Sequence, residues 1–393
     1  MLHGEHTRSA APRIDISVGS RFHAFDLARE LATHGMLRCL YTGYPAFAAS
    51  KFGIPESQVS PVWTHEALNR LSAALWRVGL ISRRWDHPLS RRFDGIVSRR
   101  LKSGGNIFVG WSSQCLTSIR VARDLGMKTV VERGSTHIQS QREVLLAELN
   151  ATRLPVEIPN SRIVETELAE YSEADYICVP SHFALRSFVD RGVPAAKLVV
   201  NPYGVDLRAF DGSGRVEASS RSFRVIHVGR VSIRKGVHYL VAAAGMLPEV
   251  ELWLVGAVDP GMTRLVSRLS RTRICGPVSQ QQLPALYAAA DVFCLLSLEE
   301  GLALVIAQAM SMGLPVIVTP NTGAEELVTD GVEGFIVPAR DVDVVRQRLA
   351  LLSHDTELRW QMGRNARRRI AQGYSWVDYG RRAIENYRRM IAV

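Results

Sequence analysis

Residues 223–256 read FRVIHVGRVSIRKGVHYLVAAAGMLPEVELWLVG, and this stretch decides the fold. FRVIHV and VELWLV are near-continuous apolar runs, the pattern of strands covered by helices on both faces. HYLVAAAGML between them reads as a helix. Strand, basic loop, helix and second strand make one βαβ unit, the building block of a parallel sheet. The series continues downstream through RLVSRLS (helix), RICG (strand), QQLPALYAAA (helix), DVFCLLS (strand), LALVIAQAMSMG (helix) and LPVIVT (strand). An upstream series runs through RIDISVGS, AFDLARELATHG, LRCLYTG, NIFVGWSS, SIRVARDLG and KTVVERG. It goes on through a long helical region from Gln139 to EADYICVPS, HFALRSFVDRG and KLVVNPYG. Between the series, residues 208–221, RAFDGSGRVEASSR, lose all periodicity and read as a linker. The expected fold is therefore α/β, with two Rossmann-like, doubly wound parallel-sheet domains over 14–207 and 222–373. Such sheets bind ligands beyond the carboxyl ends of their strands, so a central cleft faced by both domains is the expected site.

The chain has 393 residues, with 48 Lys and Arg against 38 Asp and Glu, a net charge of +10, and 47% apolar residues. This excludes a disordered tail, a collagen-like fibre and a small disulfide scaffold. The positive charge suits a phosphate-bearing small molecule, an anionic membrane surface or nucleic acid. No zinc-finger, RRM or KH pattern supports the last, and no nucleic-acid partner is expected. No stretch approaches ~18 uninterrupted apolar residues, the length of a membrane span. The start, MLHGEHTRSAAPRIDI, has no apolar core before a cleavage site, which argues against secretion. The five cysteines, Cys39, Cys115, Cys178, Cys275 and Cys294, show no CxxC spacing. Buried free thiols in a reducing cytoplasm are the expected state.

Two short motifs are look-alikes. Gly212-Ser213-Gly214 follows no strand and opens no helix, so it reads as linker and not as a dinucleotide fingerprint. Asp341-Val342-Asp343 precedes the helical VVRQRLALL; Asp341 is expected as its N-cap and Asp343 as a favourable first-turn charge. The sequence holds no cluster with metal-ligand spacing, no Ser/His/Asp elbow and no Walker loop.

Two segments carry candidate chemistry. In GRVSIRKG (229–236), Arg230 stands at a strand's carboxyl end and Lys235 near the next helix's start. A guanidinium fork, a point charge and helix-end amides suit a diphosphate. A solvated basic loop is the alternative. In SLEEGLALVIAQAMSMGLPVIVT (297–319), Ser297 ends a strand, Glu300-Gly301 turn, and a helix starts near Leu302. Glu300 can accept from sugar hydroxyls, or simply favour the helix dipole. Gln308, two turns on, can bond a ribose diol through its amide, or be a satisfied polar residue.

These two segments, followed by TGAEELVTDGVEGFIVP, resemble the group 1 glycosyltransferases, over residues 201–380. The resemblance implies the GT-B fold, with two Rossmann-like domains, and retaining sugar transfer without a metal or other cofactor. It implies that Arg230 and Lys235 hold the donor diphosphate at the Gly229 turn, and that Glu300 contacts the donor sugar. The backbone of Gly301, Leu302 and Ala303 would meet sugar and phosphate, and Val278 would line the nucleobase. Glu326 reads as structural, or as supporting a residue that touches the ligand. Two residues depart from the family pattern: Gln308 stands for the second Glu of its E-x7-E motif, and Leu302-Ala303 for its Phe-Gly. In the first domain, His137 is placed by position near the donor sugar; Gly19, Arg21 and His23 lie in the first strand-to-helix loop, and Arg133 nearby. The last helix, 374–393, would cross back onto the first domain.

The partners implied are a nucleoside diphosphate sugar and a saccharide or lipid-linked acceptor, as in cell-surface polysaccharide or glycolipid synthesis. Residues 63–102 mix Trp63, Trp76 and Trp85 with nine Arg and Lys, which suits an anionic membrane surface, or an ordinary solvated face. Localisation is expected to be cytoplasmic, peripheral on the inner face of the membrane. Two alternatives share the architecture: a nucleotide-sugar epimerase, and a non-catalytic nucleotide-sugar-binding subunit.

Overall fold

The apolar runs that read as strands are strands in the computed structural model, which describes residues 12–77, 80–81, 85–212, 222–267 and 271–392. Ser213 and Gly214 of the look-alike motif and 213–221 of the linker lie outside the described residues, as do Arg83 and Arg84. In chain order the strands are β1 (Ile14–Val18), β2 (Leu37–Thr42), β3 (Val59–Pro61), β4 (Ile107–Trp111), β5 (Lys128–Glu132), β6 (Tyr176–Val179) and β7 (Leu198–Val200). They continue as β8 (Phe223–Val228), β9 (Val250–Val255), β10 (Thr272–Gly276), β11 (Val292–Leu295), β12 (Val316–Val318) and β13 (Gly334–Ile336).

These strands form one seven-stranded sheet, ordered β3-β2-β1-β4-β5-β6-β7, and one six-stranded sheet, ordered β10-β9-β8-β11-β12-β13. Every pairing in the second is parallel, as are those from β3 to β6 in the first. The doubly wound parallel sheets expected from the sequence are both present. In each, the strand order reverses at the first strand, β1 or β8, and such a switch point is where a ligand crevice forms.

The described residues of Met1–Glu132, Ser161–Cys178 and Gly380–Val393 make one compact unit, and those of Arg133–Asn160 and Val179–Tyr379 another. In the first, the helix Ala24–Thr33 buries Phe25, Leu27, Ala28 and Leu31, and Gly35 ends it at φ +67°. In the second, Val225, Leu252, Leu254, Cys294 and Ile317 of the sheet pack with Val237, Leu240, Val241 and Ala244 of the helix Val237–Gly245. Val144, Leu154 and Val156 pack against that same core.

Several details differ from the sequence reading. The helical region from Gln139 is two helices, Ile138–Thr152 and Ser161–Glu173. Arg153 in left-handed backbone (φ +59°) caps the first, and Pro155 and Pro159 keep the connection extended. The short, half-buried strand β3 has no apolar alternation to announce it. The helix after Glu300 is Leu304–Ser311, two residues later than expected, because Ala303 is extended and its amide donates to Thr322 O at 3.2 Å. All five cysteines are free, but only Cys115, Cys178 and Cys294 are buried. Cys39 and Cys275 are half-buried, on strands at or near their sheet edges. Asp341 caps the helix Val342–His354 by accepting from Val344 N, as expected.

Candidate functional site

Because β8 and β11 are neighbours, the loops leaving their carboxyl ends lie side by side within the second unit. Gly236 makes this approach feasible. It has φ +66°, caps the helix Val237–Gly245, and any Cβ there would lie 1.9 Å from Leu296 O. Leu298 N donates to Arg234 O at 2.8 Å, stitching the two loops. Lys235 Nζ is thereby paired with Glu300 Oε1. Glu300 is nearly buried, its amide donates to Asn321 O at 2.8 Å, and Ser297 Oγ lies 3.5 Å from Oε1.

Lys235 and Glu300 are therefore brought together. Arg230 points elsewhere: its guanidinium, 44% exposed, pairs with Asp259 and lies 3.6 Å from Glu157. Gly301 is sealed in, since a Cβ there would lie 2.5 Å from Gly134 O, and its carbonyl accepts from Ser181 Oγ. Leu302 and Ala303 are buried. Gln308 is half-buried and accepts from Tyr287 OH at 3.3 Å, so part of its hydrogen-bonding capacity is already engaged. Gly229 directly follows β8, and Val278 lies half-buried just past β10. Glu326 accepts from His182 N at 2.6 Å.

His137 caps the helix Ile138–Thr152, its Nδ1 accepting from Gln139 N at 3.3 Å. Its ring meets Phe188 edge-on at 5.0 Å. Burial, with Arg191 and Arg133 adding repulsion, lowers its pKa to about 4. At neutral pH it is an uncharged imidazole that accepts at Nδ1 and carries its proton on Nε2. His227, fully buried at the end of β8, is likewise pushed down to about 4 by burial and by the charge of Lys235.

In the first unit, Gly19 N donates to Gln114 Oε1 at 2.8 Å and Gly19 O accepts from Gly43 N. Arg21 is exposed, with its guanidinium 4.2 Å over the Phe52 ring. His23 is buried against Trp111 and lies 3.5 Å from Glu132. Arg133, in the second unit, bonds Thr136 O and Gln141 Oε1.

Sequence reading missed Glu299 and Arg234. Glu299 is 1% exposed and accepts from Ser135 Oγ (2.6 Å), Thr136 N (2.9 Å), Thr136 Oγ1 (2.8 Å) and Gln141 Nε2 (2.9 Å). Arg234 Nη2 lies 3.1 Å from its Oε2. Burial works against the charge, but Arg234, Ser135, Thr136 and Arg133 outweigh it and hold this carboxyl below its ordinary range. The one signal in the sequence was a pair of adjacent glutamates in an otherwise apolar stretch. Alternation turns one of such a pair inward, where it needs a partner.

Residues 214–369 match the family described as "Glycosyl transferases group 1". This segment is a group 1 glycosyltransferase domain. The chain is 33% identical over 230 residues to the MMP alpha-(1->4)-mannosyltransferase of Mycolicibacterium hassiacum, covering 56% of this chain and 54% of that one. It is 34% identical over 220 residues to the D-inositol 3-phosphate glycosyltransferase of Kribbella flavida, covering 50% and 51%. The chain thus spans about half the length of the curated relatives it matches. Among solved structures, Anabaena HepE in complex with UDP and glucose superposes with TM-score 0.67 at 18% identity, covering 95% of this chain and 99% of that one. Sucrose-phosphate synthase from Thermosynechococcus elongatus gives 0.69 at 19% identity, covering 97% and 99%. At these identities the likeness establishes the fold, which is GT-B.

Proposed function

We propose that the chain is a retaining, metal-independent glycosyltransferase that moves a sugar from a nucleoside diphosphate sugar to an acceptor hydroxyl. The observation that carries the reading is the meeting of Lys235 and Glu300 at the carboxyl ends of two adjacent strands of the group 1 domain. In the free protein each neutralises the other. A bound donor would replace that contact: its diphosphate takes Lys235, and its sugar hydroxyls donate to Glu300. Arg230 would leave Asp259 and Glu157 for the same diphosphate.

The bond from the anomeric carbon to the diphosphate oxygen breaks as the acceptor oxygen bonds to that carbon. The leaving oxygen takes the acceptor's proton, and the cations stabilise the negative charge growing on it. Attack on the face that the diphosphate leaves retains configuration. His137, neutral with Nε2 protonated, would donate to a sugar hydroxyl. The test is a thermal-shift panel of UDP-, GDP- and ADP-sugars followed by a transfer assay with and without EDTA. A specific ligand raises Tm by mass action. No stabilisation by any donor and no transfer would reject the reading.

The acceptor we propose is carried at an anionic membrane. The helix Trp63–Arg77 buries only His65 and Ser72 among the side chains described for it, while Trp63, Ala67, Arg70, Leu71 and Ala74 are exposed. At 100° per residue these five share one side, so the face left to solvent is apolar with a cation at its edge. Among the described residues no helix is long and apolar enough to cross a membrane. Salt-sensitive co-sedimentation with anionic liposomes is expected; its absence would remove the membrane.

A further inference from the structure

Glu299 stands beside the Glu300 of the proposed donor site, yet its whole carboxylate is turned inward. Taking a charge out of water costs several kcal/mol in effect unless geometry and hydrogen bonds compensate. A packing role alone would be served by an apolar residue. The partners come from three places: Ser135 and Thr136 in the connection after β5, Gln141 on the helix that His137 caps, and Arg234 in the loop carrying Lys235. Arg234 is tied further, donating from Nε to Glu299 O at 3.1 Å and from Nη2 to Ser135 Oγ at 3.2 Å. Gln141 is itself held by Arg133.

Two consequences bear on the neighbouring residue. First, Arg234 Nη2 lies only 3.9 Å from Glu300 Oε2. Were Glu299 uncharged, that guanidinium would swing to Glu300, already within 3.9 Å, and compete with Lys235 and with sugar hydroxyls. Second, the same carboxylate anchors residues 134–137, which set Gly134 O against Gly301 and carry His137. We infer that Glu299 is a positioning residue for the donor sugar: by holding Arg234, Ser135, Thr136 and Gln141 it fixes Glu300 and the segment leading to His137. This rests on the glycosyltransferase reading above. Glu299 makes no contact with substrate in this assignment and takes no part in bond making.

The test compares two ligands on two proteins. The probes are the nucleotide sugar that most stabilises the parent chain and the corresponding nucleoside diphosphate, titrated by calorimetry into the parent and into Glu299→Gln. Gln keeps the volume and one acceptor but loses the charge. The diphosphate should bind both proteins within about twofold. The nucleotide sugar should bind the variant about tenfold more weakly, and kcat at saturating donor should fall by about the same factor, since small misplacements at a reacting centre reach ~100-fold. A residue that only supports packing would weaken both ligands alike or neither, and either pattern overturns the assignment. If Glu299→Gln does not fold, Gln141→Leu removes one donor from the same carboxylate. It should shift the ratio of the two affinities in the same direction, and an unchanged ratio overturns the assignment. If the parent binds no nucleotide sugar, the functional reading and this assignment fall together; if it binds and the ratio is unmoved, this assignment alone falls.

Discussion

Each unit of this chain buries a carboxylate next to a strand-end loop, and the two behave in opposite ways. In the first, Glu170 on the helix Ser161–Glu173 accepts from the amides of Ser113 (2.7 Å) and Cys115 (2.9 Å), beside a second buried acid, Glu167. Burial and the charge of Glu167 push Glu170 up to about 8. In the second, Glu299 is equally buried, has four neutral donors to Glu170's two, and is held below its ordinary range. It also has a cation, Arg234, where Glu170 has a second acid. Amide and hydroxyl donors offset part of the desolvation of a carboxylate; the sign of the remainder is set by the nearest charge.

Four substitutions put magnitudes on these interactions. Arg234→Met leaves Glu299 in surroundings like those of Glu170. Removing one partner of a buried pair costs about 3 kcal/mol, the low end of its range because Arg234 is only half-buried. A urea melt should show that loss, and it should be larger at pH 8 than at pH 5. A change below 0.5 kcal/mol would mean the neutral donors suffice. Lys235→Ala removes the cation paired with Glu300 in the same cluster: the fold should persist, with turnover down by roughly 100-fold. Near-normal transfer would remove Lys235 from the site.

Glu170→Gln acts on the other side of the contrast. Because folding raises this pKa, the native state holds a proton that the unfolded chain has lost between about pH 4.5 and 8. Stability therefore falls as pH rises through that window. The variant should lose about 2 kcal/mol less than the parent between pH 5 and pH 8. Parallel melting curves would show that Glu170 is ionised in both states. The smallest effect is expected from Asp341→Ala, where only the bond to Val344 N is lost. About 1 kcal/mol is typical for a cap. An unchanged denaturation midpoint would show that helix-end charge, not capping, is what Asp341 supplies.

The strands were the most legible elements. FRVIHV, VELWLV and DVFCLLS are apolar without alternation because both faces of a parallel strand are covered, and that is a property of the residues themselves. The basic loop and the Glu300 turn were legible for a related reason: local spacing places them at strand ends. The pairing of Arg230 with Asp259 was not, because 29 residues separate them and no spacing rule links them. The helix break near Arg153 was written in Pro155 and Pro159 but looked like a continuation, since apolar residues recur on both sides.

What the residues determined alone is therefore local: apolar period, the aspartate that caps before Val342, and the order in which cations and acids meet strand ends. What only the folded chain decided is which charges become neighbours. Ser135, Gln141, Arg234 and Glu299 span 165 positions, and a hydrogen bond between them depends on strand order, not on sequence distance. Electrostatic energy inside a protein depends on separation in space and on exclusion of water, and neither exists until the sheets have formed.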